Sequence, residues 1–240
     1  HRERTHPKAW AKTRIGYPQS DPNAQFVLMV GTSGWELHDR TSRQRPLRLD
    51  FAELLRQRGA ATARSPLGRA SGIRQTQPKS VLDCTAGLGR DGFMLGSLGA
   101  SRVQLIERDP VVAALLEDAL RRARADSAVP HWVESVSVAR ADARDWLARR
   151  PFAFDVVYID SMFPAGRRAL AGRELQFLQR LLPSDRPSDG EELIGAALET
   201  GCARVIAKRA KHQPAIDRPT FAVRGRSFRF DVYVNADARA

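Results

Sequence analysis

The chain has 240 residues, of which 42% are hydrophobic and 28% charged, a composition typical of a globular protein and not of a disordered one. Lys and Arg number 39 against 27 Asp and Glu, and the net charge of +12 favours a polyanionic partner such as nucleic acid. The two cysteines and five scattered histidines show no zinc or disulfide spacing, so we expect no metal site and no disulfide framework. The cysteine usage indicates a reducing, cytoplasmic setting. No apolar run approaches the length of a membrane span, so we expect no membrane partner. We take the protein to be a monomer.

The first part of the chain is predicted to divide into an arm and a small subdomain. Residues 1–24 are polar and basic and lack the apolar core of a secretory signal, which indicates a flexible basic arm. Residues 25–74 are expected to form a small N-terminal β/α subdomain, with strands at 26–30 and 35–39 and helices at 50–61 and 66–73. Asp50 is the expected N-cap of the first helix, and a linker-like stretch at 74–80 follows the second.

The remaining residues, 75–240, alternate strands with helices. Strands are predicted at 80–84, 102–107, 133–140, 154–160 and 203–208. Helices are predicted between and after them, at 90–99, 109–125, 142–150, 167–182 and 189–201. A hairpin at 220–234 is expected to turn near Gly225. This order predicts an α/β fold with a mostly parallel, doubly wound sheet that an antiparallel hairpin closes.

The loop "DCTAGLGRDG" (83–92) joins the first of these strands to its helix. Its three glycines, Gly87, Gly89 and Gly92, form the G-x-G-x-x-G pattern of a nucleotide-binding loop. A pyrophosphate prefers bare N–H groups at a helix N-terminus, whereas Asp83 and Asp91 place two carboxylates beside it. Like charges about 4 Å apart repel by about 4 kcal/mol at an effective dielectric near 20. S-adenosylmethionine carries a sulfonium and an ammonium and no phosphate, so the charges favour it over NAD, and a glycine turn without a ligand is the remaining alternative.

Acidic residues also follow the second and third strands. Ligands bind at the carboxyl ends of the strands in such sheets, where Glu107 and Asp142 lie together with Asp83. Glu107 is placed to hydrogen-bond ribose hydroxyls, and Asp142 to reach the adenine edge. The alternative for Asp142 is an ordinary helix N-cap. We therefore predict cofactor contacts from these three acids and from Gly87 and Gly89 in the loop.

The fourth strand ends in "VVYIDSMFPAG" (156–166), which supplies the catalytic candidates. Asp160 and Phe163 resemble the acid and the aromatic residue of the (D/N)-P-P-(Y/F) motif of methyltransferases that act on exocyclic base amines. A carboxylate that accepts the amine hydrogens localises the nitrogen lone pair, and an aromatic ring stacks the base. The alternative is an aspartate that caps the next helix, with Phe163 in the core. Ser161 stands where the motif has proline.

Four stretches together carry a family resemblance: "DCTAGLGRDGF", "LIERDPVVAALLEDAL", "VVYIDSMFP" and "VIAKR". Over about residues 65–234 the chain resembles the bacterial RsmJ-type 16S ribosomal RNA (guanine-N2) methyltransferases. The resemblance implies a class I S-adenosylmethionine-dependent methyltransferase domain, Rossmann-like, over residues 75–240 and a small N-terminal extension. It implies N2 of a guanine in 16S ribosomal RNA as the methyl acceptor, and as partner either that RNA or the small ribosomal subunit. By motif, the cofactor contacts of the family fall on Arg90, Asp91, Glu107, Arg108, Ala141, Asp142 and Asp160.

Two basic segments near the C-terminus, 207–212 and 224–230, are the expected RNA-binding face. Basic residues beside a phenylalanine suit phosphate neutralisation and base stacking, and a solvated basic face is the alternative. The predicted contacts are Lys208, Arg209, Lys211, Arg224, Arg226 and Arg229, and Arg167, Arg168 and Arg173 follow the catalytic strand. Three other functions stay open at this point: methylation of another RNA or DNA amine, NAD-dependent oxidoreduction, and RNA binding without catalysis.

Overall fold

The computed structural model describes residues 24–160, 173–182 and 187–239. The arm predicted for residues 1–24 lies, except for Ala24, outside the described residues. Among the described helices, none combines the length and the apolar composition that a membrane span requires. The same part of the chain holds no group of three or more His, Cys, Asp or Glu side chains placed to bind a metal ion.

The N-terminal elements are a hairpin and two short helices. Strands β1 (Phe26–Gly31) and β2 (Gly34–Asp39) pair antiparallel, and helices α1 (Phe51–Arg58) and α2 (Pro66–Ser71) follow. The Asp50 carboxylate accepts the Glu53 N–H at 2.9 Å, which confirms Asp50 as the N-cap of α1. Helix α1 ends earlier than predicted because the next residue, Gly59, has φ of +69° and leaves the helical region.

A second, seven-stranded sheet forms the body of the structure. Its strands are β3 (Ser80–Asp83), β4 (Arg102–Glu107), β5 (Val136–Arg140), β6 (Val156–Ile159), β7 (Arg204–Ala210), β8 (Phe221–Arg224) and β9 (Phe228–Val234). The helices between them are α3 (Arg90–Ser97), α4 (Pro110–Ala125), α5 (Ala143–Leu147), α6 (Arg173–Leu181) and α7 (Pro187–Leu198). Part of the predicted third strand is instead a 3-10 turn, His131–Ser135, which begins directly after Pro130.

The strand order is β5-β4-β3-β6-β7-β9-β8. Strands β3 to β7 are parallel, and the hairpin of β8 and β9 joins the edge of β7 antiparallel. From β3 the chain first builds outward through β4 and β5, then crosses back to β6 on the other side. The order therefore changes direction between β3 and β6, which is where open α/β sheets bind their ligands. This topology confirms the predicted Rossmann-like fold with its closing hairpin.

Alternate residues of the central strands feed two hydrophobic cores, one on each face of the sheet. On one face Val81 and Val156 pack with residues of α3 and α4, and on the other Leu82 and Val157 pack with residues of α5 and α7. The first core also takes in the N-terminal elements, because Phe51 of α1 stacks on Phe93 of α3 with ring centroids 4.2 Å apart. Helix α1 is thereby held close to the loop that follows β3.

Candidate active site

A cavity opens at the carboxyl edge of the parallel strands, next to the ends of β3 and β6. Its volume of about 630 Å³ lies within the range of cofactor and small-molecule sites. The lining comes from the glycine loop, three strand ends and helices α1, α3 and α6: Arg58, Asp83, Thr85, Ala86, Gly87, Leu88, Arg90, Asp91, Tyr158, Asp160, Glu174, Leu178 and Lys208. Its place at the change of strand direction makes this cavity the candidate active site.

The loop after β3 adopts backbone conformations that favour glycine. Gly87 has φ of +50°, and its N–H donates to Glu107 Oε2 at 2.9 Å, which ties the loop to the end of β4. Gly89 has φ of +70°, and a Cβ atom there would lie 2.5 Å from Leu116 and 3.0 Å from Phe51. Gly89 packs against the core and is not among the lining residues, so its contact with the cofactor stays a prediction.

Asp83 lies at the base of the cavity and is only 1% exposed. Burial raises the pKa of Asp83 to about 8, and one hydrogen bond from the Thr85 N–H, at 3.1 Å, offsets this only in part. Most Asp83 carboxyls are therefore protonated near neutral pH. The negative charge that the sequence suggested for Asp83 is carried mainly by Asp91 and Asp160, which line the same cavity.

A lysine bridges these two carboxylates. Lys208 Nζ lies 2.6 Å from Asp91 Oδ2 and 2.7 Å from Asp160 Oδ2. Tyr158 donates its hydroxyl to the same Asp91 oxygen at 2.6 Å, and the Asp160 N–H donates to Thr85 Oγ1 at 2.6 Å. Strand ends β6 and β7, helix α3 and the glycine loop thus meet in one hydrogen-bonded network.

The network shifts the pKa values of Asp160, Lys208 and Tyr158. Burial raises the pKa of Asp160, although the charge of Lys208 acts in the opposite direction. Burial also disfavours the charge on Lys208, but the two carboxylates outweigh this effect and hold the pKa of Lys208 above its ordinary value. Burial, with Asp91 and Asp160 close by, raises the pKa of Tyr158. The result is a charged lysine, a neutral tyrosine and an Asp160 carboxylate whose ionised form Lys208 stabilises.

The predicted contacts at the second and third strand ends lie beside the cavity and not in its lining. Glu107 is buried and accepts the N–H groups of Gly87 and Asp109 at 2.9 and 2.8 Å. The Ala141 N–H donates to the Glu107 carbonyl at 3.1 Å, so the two strand ends are joined. Each carboxylate oxygen of Glu107 keeps a second lone pair for a ribose hydroxyl. Arg108, the next residue along the chain, is exposed.

Asp142 is an N-cap in the structure. Its Oδ1 accepts the Arg144 N–H at 2.9 Å, at the first turn of α5. The Arg144 guanidinium also contacts both carboxylate oxygens, at 3.1 and 2.8 Å, and lowers the pKa of Asp142. The alternative of an ordinary helix cap is therefore realised, and a contact of Asp142 with an adenine ring stays a prediction.

Helices α1 and α6 close the cavity from the side away from the strands. Arg90, at the start of α3, forms an ion pair with Glu174 of α6. Arg58, from the last turn of α1, lines the same cavity. Burial is the largest cause that lowers the pKa of Arg90, and the charge of Arg58 lowers it further. Two guanidinium groups and one carboxylate therefore surround this part of the cavity.

Three of the six predicted RNA contacts are engaged within the protein, which leaves them poorly placed to neutralise phosphates. Lys208 belongs to the ionic network in the cavity. Arg209 is only 3% exposed and donates to the Pro214 carbonyl at 2.7 Å. Arg229 holds Asp231 with two bonds of 2.7 and 2.9 Å.

The other three, Lys211, Arg224 and Arg226, are exposed at the end of β7 and around the turn between β8 and β9. Because β8 runs parallel to β7, these residues lie at the same edge of the sheet as the cavity. Phe163, Arg167 and Arg168 lie outside the described residues, and so does the side chain of Arg173.

Sequence reasoning missed several residues of the cavity. Tyr158 precedes Asp160 by two residues and so shares its face of β6, a signal that strand alternation offered. Thr85 lies in the glycine loop itself. Arg58, Glu174 and Leu178 carry no local signal, because packing of distant helices brings them to the cavity.

The charges of the cavity fit the groups of S-adenosylmethionine. Asp91 and Asp160 offer acceptors to a cationic ammonium or sulfonium, and Arg58 and Arg90 offer donors to a carboxylate. A pyrophosphate next to the two aspartates would be repelled. The arrangement therefore favours a zwitterionic, cation-bearing cofactor over a dinucleotide.

Comparisons with known proteins agree with this chemistry. Residues 11–235 match the family model described as a putative SAM-dependent methyltransferase. A protein from Stutzerimonas stutzeri named ribosomal RNA small subunit methyltransferase J is 38% identical over 93% of this chain and 88% of its own length. A protein of the same name from Thioalkalivibrio sulfidiphilus is 40% identical over 79% of this chain and 76% of its own length.

Among solved structures, a SAM-dependent methyltransferase from Neisseria gonorrhoeae superposes with a TM-score of 0.70 and 26% identity, over 92% of this chain and 87% of that one. These matches confirm the predicted family, the methyltransferase activity and S-adenosylmethionine as cofactor. They exclude the alternative of an NAD-dependent oxidoreductase. The chain belongs to the family of SAM-dependent methyltransferases whose members include the ribosomal RNA small subunit methyltransferases J.

Proposed function

We propose that this methyltransferase transfers a methyl group to the exocyclic N2 of a guanine in small-subunit (16S) ribosomal RNA. The names of the relatives support ribosomal RNA as the substrate class. The observation that carries the amine chemistry is the position of Asp160, which lines the cofactor cavity at the tip of β6 and is held there by Lys208 and Thr85. Consistent with ribosomal RNA as substrate, we propose that the protein acts in the cytoplasm, as a monomer and without a metal.

The cofactor is held by the cavity and by the strand ends beside it. Asp91 and Asp160 bind its cationic groups, and Arg90 binds its carboxylate. Gly87 brings the backbone close to the ligand, Glu107 accepts the ribose hydroxyls, and Arg108, Ala141 and Asp142 border the adenine. When bound, S-adenosylmethionine supplies an activated methyl group with a good leaving group, so the residues of this chain mainly need to position the acceptor.

Asp160 activates the amine. Its Oδ2 accepts from Lys208, and a carboxylate has capacity for further donors. A guanine amine that donates to Asp160 has its lone pair directed away from the ring, and the proton that the amine loses passes to the carboxylate. Phe163 follows three residues later and would stack the base. Asp160 and Phe163 are therefore the proposed catalytic residues.

The RNA backbone is proposed to contact Lys211, Arg224 and Arg226. All three are exposed at the sheet edge where the cavity opens, so a strand bound there can deliver a base into the cavity. Since the cavity is enclosed on several sides, the target guanine has to leave its stack to enter. Residues 75–240 form the proposed methyltransferase domain, residues 25–74 the proposed N-terminal subdomain, and residues 1–24 a flexible arm.

Methyl mapping by mass spectrometry tests the proposal. Unmodified 16S ribosomal RNA, assembled small subunits and a DNA of the same sequence are incubated separately with the protein and S-adenosylmethionine. The digested nucleic acids are searched for N2-methylguanine and other methylated bases. One modified guanine, absent without the protein, is the expected result. A methyl group on a different base amine, or on DNA alone, would replace this proposal with the corresponding alternative.

A further inference from the structure

The segment between β2 and α1 carries a cluster of positive charge that the proposed function leaves unused. Residues 40–48, which we call the arginine loop, read "RTSRQRPLR" and contain four arginines and no acidic residue. Arg43 and Arg45 are exposed and, within the described residues, form no hydrogen bond or ion pair. The loop therefore presents uncompensated guanidinium groups to solvent.

The arginine loop is held in place by contacts along its length. At its start, the Thr41 N–H and hydroxyl donate to Asp39 Oδ1 at 2.9 and 2.7 Å. Near its end, buried Leu47 exchanges two backbone hydrogen bonds of 2.8 Å with Leu37 of β2. Because both ends are fixed, Arg43 and Arg45 project from an anchored loop.

Helix α6 connects the arginine loop to the cavity. Arg180 donates to Gln44 Oε1 at 3.0 Å and pairs with Asp39 at 3.2 Å, so it touches the loop between Arg43 and Arg45. Glu174 and Leu178 of the same helix line the cavity. At about 1.5 Å rise per residue, Glu174 and Arg180 lie roughly 9 Å apart along the helix axis. A few nucleotides of a single strand span that distance.

The arginine loop and the hairpin of β8 and β9 approach the cavity on different elements. Strand β2 packs at its start against α4, where the Trp35 N–H donates to Asp118 at 3.0 Å, and the loop after its end contacts α6. The exposed Lys211, Arg224 and Arg226 lie at the end of β7 and around the turn between β8 and β9. Between these two positive surfaces Arg58, also from the N-terminal segment, lines the cavity itself.

We propose that the arginine loop is a second contact for the RNA backbone, in which Arg43 and Arg45 neutralise phosphates of the strand whose target base enters the cavity. The inference rests on the proposed function, since it takes RNA as the substrate. RNA then crosses the cavity mouth with positive charge on both sides, and the N-terminal extension serves substrate binding as well as packing.

The test compares two double variants with the same loss of charge. R43Q/R45Q removes the proposed contacts. R69Q/R74Q is the control, because Arg69 and Arg74 are exposed but lie near the start of β7 and before β3, at the opposite edge of the sheet. Binding to an unmodified 16S ribosomal RNA transcript is measured between about 50 and 200 mM salt, together with the midpoint of thermal unfolding.

For R43Q/R45Q we expect weaker RNA binding, with a slope of log affinity against log salt that is shallower by about 1.4, as the loss of two single-strand phosphate contacts predicts. Affinity for S-adenosylmethionine and thermal stability should stay at the wild-type level. Equal effects of the two double variants would overturn the inference. A defect on assembled subunits but not on the transcript would also overturn it, and would assign the loop to a ribosomal protein. If wild-type protein methylates no RNA at all, the proposed function fails instead.

Discussion

Replacement of Lys208 by methionine should make methyl transfer, measured with saturating cofactor, require a more alkaline pH than in the wild type. Lys208 is the cation that bridges Asp91 and Asp160. Methionine keeps much of the aliphatic length and removes the charge. Two carboxylates then face each other without a counter-ion in a largely buried site, and they can relieve the repulsion by sharing a proton. A proton on Asp160 abolishes its capacity to accept the amine hydrogens.

The size of the effect follows from the geometry. Lys208 Nζ lies 2.6 and 2.7 Å from the two carboxylate oxygens. The variant loses the attraction between Lys208 and Asp160, which for unit charges 2.7 Å apart is about 6 kcal/mol at an effective dielectric near 20. Since about 1.4 kcal/mol corresponds to one pKa unit, the pKa of Asp160 should rise by up to about four units. The rise should be smaller to the extent that solvent screens the site, because Asp91 and Asp160 are 28% and 32% exposed.

The assay is the single-turnover rate of methyl transfer to ribosomal RNA between pH 6 and 9. For K208M we expect a rate at pH 7 reduced by roughly 10-fold to 100-fold, which then recovers by up to about tenfold per pH unit. Lys208→Arg keeps the charge and should restore most of the rate at pH 7, without the alkaline limb. A K208M profile that runs parallel to the wild type at a lower level would refute the reasoning, because it would show that Lys208 only supports the structure.

Three further predictions concern the same region. Asp160→Asn should lower the transfer rate by about 10² to 10⁴ but the affinity for S-adenosylmethionine only by a few-fold in calorimetry, because Asp91 still binds the cationic groups. An equal loss of both would show that Asp160 acts only in cofactor binding. Burial raises the pKa of Asp83 to about 8, and a bound cation favours the ionised form of Asp83. Binding of the cofactor should therefore release a proton below pH 8, and cofactor affinity should increase with pH by at most about tenfold per pH unit. Calorimetry in two buffers of different ionisation enthalpy measures that proton, and its absence would contradict the prediction. Gly89→Ala should lower the free energy of unfolding in urea by about 2–4 kcal/mol, because alanine disfavours the left-handed φ and its Cβ would clash with the core. Gly201→Ala is the control, because Gly201 has φ of +72° and no neighbour within 4 Å. It should lower the free energy of unfolding by only about 1–2 kcal/mol, the cost of the left-handed φ alone.

The fold was predictable because its elements carry strong local signals. The strands of the parallel sheet are short apolar runs, and helix α4 begins with Asp109 as N-cap and Pro110 at its first position. The ends of strands were less predictable where a turn has the same apolar alternation as a strand. The stretch after Pro130 reads as apolar alternation, yet its first turn is a 3-10 turn and only Val136–Arg140 pairs with β4.

The residues of the basic segment 207–212 have different environments in the structure, which a run of like charges in the sequence does not indicate. Strand β7 continues to Ala210, so Lys208 and Arg209 are strand residues whose side chains lie on opposite faces of the sheet. Lys208 therefore reaches the cavity and Arg209 becomes buried, although the sequence around them reads as a solvated basic face. The pairing of Arg229 was predictable, because Asp231 follows two residues later and so lies on the same face of the strand. The position at which β7 ends is what the sequence does not reveal.

The charges around the cavity favour different positions for the base and for the phosphate of a nucleotide. At the strand ends, Asp91 and Asp160 share Lys208 and Asp83 is mostly protonated at neutral pH, so this wall of the cavity keeps about one negative charge. Arg58, Arg90 and Glu174 line the opposite wall, which keeps one positive charge. A phosphate that entered at the strand ends would be repelled by the negative charge in a poorly screened site, whereas a neutral guanine would not. Outside, the exposed arginines attract phosphates. The same carboxylates that hold the cationic cofactor thus keep the RNA backbone at the rim and admit only the base, which explains why a strongly basic protein has carboxylates where the methyl group is transferred.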